Sequence, residues 1–372
     1  MLTNLLAGFS YALNPSALLF TIVGTILGII FGALPGLTST MAVALLIPLT
    51  YSLEPVAGMG MLVGAFCGGT AGGSVSATLL KIPGTPSAIC TTFDAHPMAM
   101  QGKAGLALGT SVICSFIGGI FSLAALVLIA PQLASVALQF GPFEYFSLAI
   151  LGLTIIASIS SKSMIKGVIS GCIGVFVAFI GVDTVTGMNR LTFGSVNLTG
   201  GLQLLPVLIG LFAVSQALID AENFGGTVEE GEVLGGNKIK AEFPKLKQML
   251  ENWKIILSSS VLGCLIGILP GAGGSIASFV AYDAAKHISK TPEEFGKGNI
   301  QGVMASETSN NAMTGGAMVP MMALGIPGDT CTAVMMGGLT IQGLRTGPML
   351  FQSNMDTVYG IFIALFIANV AM

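Results

Sequence analysis

The sequence predicts an all-α protein, a polytopic bundle of transmembrane helices. Only 8% of the 372 residues are charged and 53% are hydrophobic, with a mean hydropathy of +0.88, whereas soluble domains carry about 25% charged residues. Repeated apolar runs approach the ~20 residues that a helix needs to cross the hydrocarbon layer. The 51 Gly and 16 Pro residues predict closely packed and broken helices.

About ten apolar segments, some of them discontinuous, follow one another along the chain. They cover residues 5–34, 37–53, 56–80, 104–130, 143–159, 167–182, 202–219, 255–269, 275–285, 302–324 and 358 onward. A charged stretch separates the last four from the rest. We therefore predict a first membrane region with additional helices (1–221), a cytoplasmic charged linker (222–254) and a second membrane region (255–372), which is expected to be truncated because the chain stops inside an apolar run.

An internal repeat links the two membrane regions. Residues 28–36 (GIIFGALPG) match residues 263–271 (GCLIGILPG). Further landmarks follow in the same order, which a chance resemblance in a Gly-rich chain does not explain. Residues 70–73, 82–85, 90–91 and 101–102 match residues 314–317, 326–329, 331–332 and 342–343.

The basic residues predict how the two copies lie in the membrane, because Lys and Arg of short loops tend to stay cytoplasmic. Three sets of basic residues are predicted to lie on the cytoplasmic side. They are the cluster at 238–254, the loop with Lys81 and Lys103, and the loop with Lys162 and Lys166. The second copy's broken hairpin begins and ends on that side. The corresponding arms of the first copy end at residues 51–55, which contain no basic residue. We therefore expect two inverted-topology repeats whose broken, re-entrant hairpins enter from opposite faces.

The first pair of breaks lies at Pro35 and Pro270. Proline cannot donate a backbone hydrogen bond, and the glycine after each proline permits turns that other residues resist. A helix that restarts there directs free N–H groups at an anion, while the preceding arm offers carbonyls to a cation. A packing kink without a ligand is the open alternative. The predicted substrate-binding residues here are Pro35, Gly36, Thr38, Ser39, Gly271, Gly273, Gly274 and Ser275.

The second pair of breaks follows two segments rich in glycine, hydroxyl and amide side chains. Unpaired polar groups are costly in hydrocarbon, so these segments must line protein or water. For Glu307 an interfacial position paired with Lys297 stays an alternative, and His96 and His287 are expected to be solvated. The predicted substrate-binding residues are Gly72, Gly73, Ser74, Asn310, Asn311 and Thr314, and the predicted cation-binding residues are Pro83, Gly84, Thr85, Glu307, Pro327, Gly328 and Asp329.

Other functions find less support in the sequence. Tyr282-Asp283 and Gly328-Asp329 resemble the paired motifs of intramembrane aspartyl proteases, but Ile326 occupies the position of the first glycine of the second motif. A passive anion channel would need a continuous polar pore rather than paired broken helices. The chain contains no ATP-binding P-loop, its six cysteines lack metal-ligand spacing, and its charge of -3 gives no support to nucleic-acid binding. We expect neither an enzyme nor a cofactor.

Residues 32–38, 72–86, 267–274 and 307–328 resemble the large membrane subunit, TctA, of tripartite tricarboxylate transporters. The resemblance covers essentially the whole chain. It implies cation-coupled uptake of a carboxylate such as citrate across the bacterial inner membrane, with Na⁺ or H⁺ as the coupling cation. It also implies two partners, a small TctB-like membrane subunit and a TctC-like periplasmic binding protein.

Overall fold

The computed structural model describes residues 8–159, 163–183, 186–202, 206–207, 209–215, 218, 222 and 240–372. This part of the chain is mainly helical, and it contains one short antiparallel pair of strands, Gly181–Val182 with Asn189–Arg190. Three apolar helical stretches are long enough to cross a membrane by length and composition, namely Pro15–Ala33, Pro55–Leu80 and Thr91–Ala137. The predictions of an all-α fold and of a membrane protein are thus confirmed.

Fourteen α-helices have described bounds. The first seven are α1 Pro15–Ala33, α2 Ser39–Thr50, α3 Pro55–Leu80, α4 Thr91–Met98, α5 Ala104–Ala137, α6 Pro142–Ile159 and α7 Met164–Ala178. The others are α8 Leu246–Glu251, α9 Trp253–Ile268, α10 Gly273–Ile288, α11 Ile300–Leu324, α12 Thr330–Ile341, α13 Pro348–Ser353 and α14 Met355–Ala371. Short 3-10 turns cover Pro86–Ala88, Val196–Leu198 and Pro292–Glu294, and π-helical turns cover Ala99–Lys103 and Ile209–Val214.

The chain forms two compact units. One consists of Met1–Gln139 with Gly225–Met372, and the other is Phe140–Phe224. Both copies of the predicted repeat therefore belong to the first unit, while α6 and α7 belong to the second. Most of the predicted charged linker before residue 240 lies outside the described residues. Lys240 of this linker packs closely on α5, since a Cβ at Gly105 would overlap its carbonyl.

Helices α3 and α11 form the core of the first unit. Apart from Val75, every residue from Val56 to Thr78 is buried, and so is every residue from Gly302 to Ala323. Helices α1 and α9 pack along α3 and α11 respectively. Their outer faces expose large apolar side chains at helical spacing, which suits contact with lipid. These side chains are Leu19, Ile26 and Ile30 on α1 and Leu257, Val261 and Leu265 on α9.

Matching glycines make matching contacts in the two copies. At each, an added Cβ would meet a backbone carbonyl of the facing helix, so the helices can approach this closely only through glycine. The contacts agree in register with the repeat read from the sequence. Gly28 contacts Ala65 as Gly263 contacts Ser309, and Gly32 contacts Gly69 as Gly267 contacts Met313. In the reverse direction, Gly72 contacts Ile29 as Gly316 contacts Cys264.

Two matching glutamines connect the copies reciprocally. The amide nitrogen of Gln101 donates to the carbonyl of Lys297 at 2.9 Å, in the loop between α10 and α11. The amide nitrogen of Gln342 donates to the carbonyl of Thr50, at the end of α2. Each copy thus reaches the corresponding turn of the other copy. Such exchange of equivalent contacts is what a two-fold relation between the copies produces.

Candidate functional site

The first pair of breaks has the same backbone shape in both copies. Helices α1 and α9 each end one residue before a leucine in extended conformation, Leu34 (φ −90°, ψ 117°) and Leu269 (φ −77°, ψ 114°). The glycines after the prolines are left-handed, with φ of 92° at Gly36 and 80° at Gly271. Both helices therefore end at the predicted positions. Glycine suits the position after each proline, because a side chain would strain this left-handed turn.

The restarting helices begin differently. Helix α2 starts after Thr38, whose hydroxyl accepts a hydrogen bond from the N–H of Met41 at 3.2 Å. Helix α10 starts at Gly273, and no side chain caps it. Its first N–H groups are therefore left for another acceptor, since the opening turn of a helix lacks intrahelical partners.

The second pair of breaks also matches. Helices α3 and α11 end in a left-handed residue, Lys81 (φ 59°) and Gly325 (φ 72°). Asp329 then caps α12, because its Oδ1 accepts from the N–H of Thr332 at 2.8 Å and from the Thr332 hydroxyl at 2.7 Å. Its carboxylate is thus already engaged in a capping box.

Each restarting helix meets the second break of the other copy. The hydroxyls of Thr40 and Thr330 lie 3.3 Å apart, which brings the starts of α2 and α12 together. The start of α10 lies against the 3-10 turn after α3, where a Cβ at Gly274 would come within 2.8 Å of the Cβ of Ser87. A Cβ at Gly273 would also lie 3.9 Å from the Cβ of Asp329, the residue before Thr330, so the two contacts are neighbours.

Asn310 lies between these breaks. It is fully buried in α11, and its amide nitrogen donates to the carbonyl of Thr70 on α3 at 3.3 Å. Its Oδ1 has no hydrogen-bond partner in the described part of the chain. That oxygen faces the uncapped start of α10, since a Cβ at Gly274 would lie 3.0 Å from it. A buried acceptor without a partner is costly unless a ligand or water satisfies it. We call the surroundings of Asn310, Gly274, Ser87, Thr40 and Thr330 the crossing site.

A second polar group lies on another side of α11. The carboxylate of Glu307 is fully buried and accepts hydrogen bonds from the hydroxyls of Thr91 on α4 and, at 3.1 Å, of Ser115 on α5. The amide nitrogen of Asn311 donates to the Ser115 hydroxyl at 2.7 Å. We call these four residues the Glu307 cluster. The alternative that Glu307 lies at the interface and pairs with Lys297 is wrong, since Lys297 is exposed and Glu307 is buried.

Many of the predicted site residues serve close packing or lie at the surface. A Cβ at Gly73 would overlap the hydroxyl of Thr85, one at Gly84 the carbonyl of Gly32, and one at Gly328 the backbone of Ala317. The hydroxyls of Ser74 and Thr314 bond to carbonyls of their own helices. Contact with a ligand stays a prediction for all of them. Pro35 and Gly36 are exposed, and Thr38, Ser39, Pro83, Gly271, Gly273, Ser275 and Pro327 are partly buried.

Asp94 has a prominent role that the sequence did not indicate. It is fully buried in α4, and its Oδ1 accepts from the backbone N–H groups of Gly296 and Gly298 at 2.9 Å and Asn299 at 2.8 Å. Its Oδ2 accepts from the Tyr282 hydroxyl at 2.7 Å. We call this the Asp94 latch, because it fastens α4 to the loop before α11.

The two histidines differ in environment. The expectation that both are solvated is wrong for His96, which is buried with its Nδ1 3.1 Å from the carbonyl of Thr78. His287 is exposed as expected, and it lies 3.5 Å from Asp283. The side chain of Asp283 is 74% exposed in α10, whereas the carboxylate of Asp329 is buried and caps a helix. This arrangement does not favour the two aspartates as a protease pair.

Comparison with known proteins finds one family and two relatives. The sequence model of the Tripartite tricarboxylate transporter TctA family matches residues 18–372. A protein of Agrobacterium vitis, described as an uncharacterized 52.8 kDa protein in the TAR-I ttuC' 3' region, is 35% identical over 372 residues, which are 100% of this chain and 73% of the relative. A second protein of that organism, in the TAR-II ttuC' 3' region, is 38% identical over 110 residues, 30% of this chain and 46% of the relative. No solved structure matches the chain.

Proposed function

The chain belongs to the tripartite tricarboxylate transporter TctA family, and on that premise we propose that it carries a citrate-like carboxylate through the membrane together with a cation. The observation that carries the proposal is the crossing site. There two restarting helices, α2 and α10, lie against the other copy's second break beside an unpartnered buried amide oxygen. Family membership makes the chain a transporter component.

Substrate binding follows from the chemistry of that site. The uncapped start of α10 offers backbone N–H groups and the positive end of a helix dipole, which suit a carboxylate without any Arg side chain. The Oδ1 of Asn310 is an acceptor, so it suits a donor such as the hydroxyl of a hydroxycarboxylate. Citrate carries both kinds of group. We therefore propose a hydroxycarboxylate, held by N–H groups at its carboxylates and by Asn310 at its hydroxyl.

The proposed mechanism uses the two-fold relation between the copies. In an inverted-repeat transporter, one part moves against another around a fixed site, which opens the site to the two faces alternately. The reciprocal contacts of Gln101 and Gln342 support such a relation. We propose that the broken hairpins enter from opposite faces of the bacterial inner membrane, that the chain crosses it several times, and that the coupling cation is Na⁺ or H⁺.

The proposed partners are a small membrane subunit and a periplasmic binding protein, in keeping with the tripartite family. The binding protein would deliver the carboxylate to the translocating chain. The complete complex is therefore the right material for testing function.

Uptake into proteoliposomes tests the proposal. We expect labelled citrate to accumulate when either a Na⁺ or a pH gradient is imposed on vesicles that contain the complete complex. Asn310→Ala should lower uptake about tenfold or more, since it removes a buried hydrogen-bonding group from the site. It should also reduce the preference for citrate over tricarballylate, which lacks the hydroxyl.

The matched control is Asn369→Ala. Asn369 is also buried, but its amide nitrogen bonds to the carbonyl of Leu365 in its own helix, α14. Normal uptake is expected from this variant once assembly is matched. Citrate uptake that does not depend on either gradient would contradict symport and favour a passive channel. An Asn310→Ala complex that transports like the wild type would remove the crossing site from the mechanism.

A further inference from the structure

Glu307 is a buried acid that has no basic partner among the described residues. Its side chain is fully buried, and it takes part in none of the ion pairs among the described residues. The groups that bond to it are the hydroxyls of Thr91 and Ser115, both of them neutral. Two neutral donors do not compensate the loss of hydration of a carboxylate, so a further positive charge or a proton is needed there.

The groups around this carboxylate are oxygen ligands. A hydroxyl that donates to a carboxylate keeps lone pairs for another partner, so Thr91 and Ser115 can bind a cation as well. Asn311 is buried at 1% exposure, and its Nδ2 lies 2.7 Å from the hydroxyl of Ser115. Its Oδ1 has no hydrogen-bond partner where the structure describes the chain. The cluster therefore offers a carboxylate in contact with two hydroxyls, and the free amide oxygen of Asn311 belongs to the next turn of α11.

One pair of these oxygens has the spacing that two ligands of a small hard cation need. Such ions bind oxygens at about 2.4 Å, and neighbouring ligand oxygens then lie about 3 Å apart. The Ser115 hydroxyl and the Glu307 Oε2 are 3.1 Å apart. One carboxylate among otherwise neutral ligands balances one positive charge, whereas a divalent ion would leave a net buried charge.

We propose that the Glu307 cluster is a binding site for a small monovalent cation of the size of Na⁺. Its ligands are Glu307, Thr91, Ser115 and the amide oxygen of Asn311. The assignment deepens the proposed function, on which it rests for its physiological meaning, because it names the site of the coupling cation. Binding itself can be measured without substrate or transport.

The position of the cluster on α11 links it to the crossing site. Glu307 and Asn311 are four residues apart and share the side of the helix that bonds to Ser115 of α5. Asn310, the neighbour of Asn311, bonds instead to Thr70 of α3. A cation that fixes Asn311 therefore also restricts the turn that carries Asn310. Cation and carboxylate would bind on two sides of one helical turn.

Na⁺ binding to the purified wild-type protein in nanodiscs tests the site. We expect a higher melting temperature in NaCl than in choline chloride at equal ionic strength, and saturable binding of ²²Na⁺, because a ligand of the folded state raises its stability. Glu307→Gln, Ser115→Ala and Thr91→Val should each weaken ²²Na⁺ binding about tenfold or more, since each removes one ligand.

Two control variants make the same substitutions away from the cluster. Ser122→Ala removes a buried hydroxyl of α5 that bonds to the carbonyl of Gly119, and Thr110→Val removes one that bonds to the carbonyl of Leu106. Both should bind ²²Na⁺ like the wild type. They show whether loss of any buried hydroxyl from this region is enough to disturb binding.

The outcomes separate this site from the proposed function. No ²²Na⁺ binding to the wild type, or equal binding to Glu307→Gln, would overturn the site, even if citrate uptake occurs. Weakened binding in the three cluster variants and normal binding in both controls would support it. If binding shows that pattern while the complete complex carries no citrate, the cation site stands and the substrate assignment fails.

Discussion

The Asp94 latch shows how much one buried side chain can connect. Its carboxylate accepts four hydrogen bonds, three of them from backbone N–H groups of residues 296–299. Hydrogen bonds to a charged acceptor are stronger than those between neutral groups. A Cβ at Gly302 would overlap the Asp94 carboxylate, so only glycine allows the first turn of α11 to approach it. The latch therefore fixes α4, the loop and α11 together.

Removing this carboxylate should destabilise the protein strongly. Asp94→Ala leaves the N–H groups of residues 296, 298 and 299 without their acceptor, and we expect a loss of about 3 kcal/mol or more in the free energy of unfolding. Asp94→Asn keeps one acceptor oxygen and should lose less. Thermal unfolding in detergent measures both. Asp356→Ala removes an exposed carboxylate of α14 and should change little; a loss equal to that of Asp94→Ala would refute the latch.

At this scale the sequence singled out Glu307 and Asn310, whose binding roles stay predictions, but not the residues that contact them. A carboxylate and an amide in a long apolar segment are conspicuous, because polar groups there are costly. Thr91 and Ser115 lie 216 and 192 residues from Glu307, and hydroxyls are common in membrane helices. Asp94 was missed because it lies in a short segment of mixed polarity, where a carboxylate is not unusual.

At the scale of helices, glycines set how closely α1 and α9 approach the core. Gly28→Ala and Gly263→Ala would each place a methyl group on a backbone carbonyl of the facing helix. Backbone cannot rotate away as a side chain can, so we expect each variant to lose about 1–3 kcal/mol. Melting temperatures of the purified variants test this.

Gly174→Ala is the matched control for these two substitutions. Gly174 is also helical, in α7, but no atom of the described residues lies within 4 Å of an added Cβ. Alanine favours helix by about 1 kcal/mol over glycine, so this variant should melt at the same temperature or higher. If all three variants melted alike, the close crossings would not limit stability.

The positions at which the helices end could be predicted more reliably than the segments that these ends contact. Proline and glycine act locally, so Pro35 and Pro270 marked the ends of α1 and α9 without any knowledge of the fold. Which helix start meets which break depends on the packing of the whole unit. Thr40 and Thr330 are 290 residues apart and still lie within 3.3 Å, a contact that no sequence pattern contained.

The whole molecule can be tested through that contact. In a variant with Thr40→Cys and Thr330→Cys, the two sulfurs should form a disulfide on mild oxidation, because the hydroxyls they replace are neighbours. Mass spectrometry of peptides detects the bond. If the copies move against each other during transport, oxidation should stop citrate uptake and a reducing agent should restore it.

The two single-cysteine variants are the controls for oxidation. These variants and the double variant also carry Cys331→Ala, because the side chain of Thr40 contacts the native Cys331 thiol. Neither single variant should then lose uptake through oxidation, because each lacks a second sulfur at the contact. A disulfide that forms fully yet leaves uptake unchanged would show that the starts of α2 and α12 remain together throughout the transport cycle. Failure of the disulfide to form would contradict the observed contact itself.

The Asp94 latch also bears on the balance between conformational states. Two identical halves related by a two-fold axis could exchange their shapes at no net cost, and the two resulting states would be equally populated. In the register that pairs Cys90 with Cys331, the counterpart of Asp94 is Met335, which accepts no comparable set of hydrogen bonds. If the protein exchanges between two such states, as the proposed mechanism requires, the state with the latch closed is favoured. Each 1.4 kcal/mol of free-energy difference between two states changes the ratio of their populations about tenfold. The resting protein should therefore occupy mainly one state.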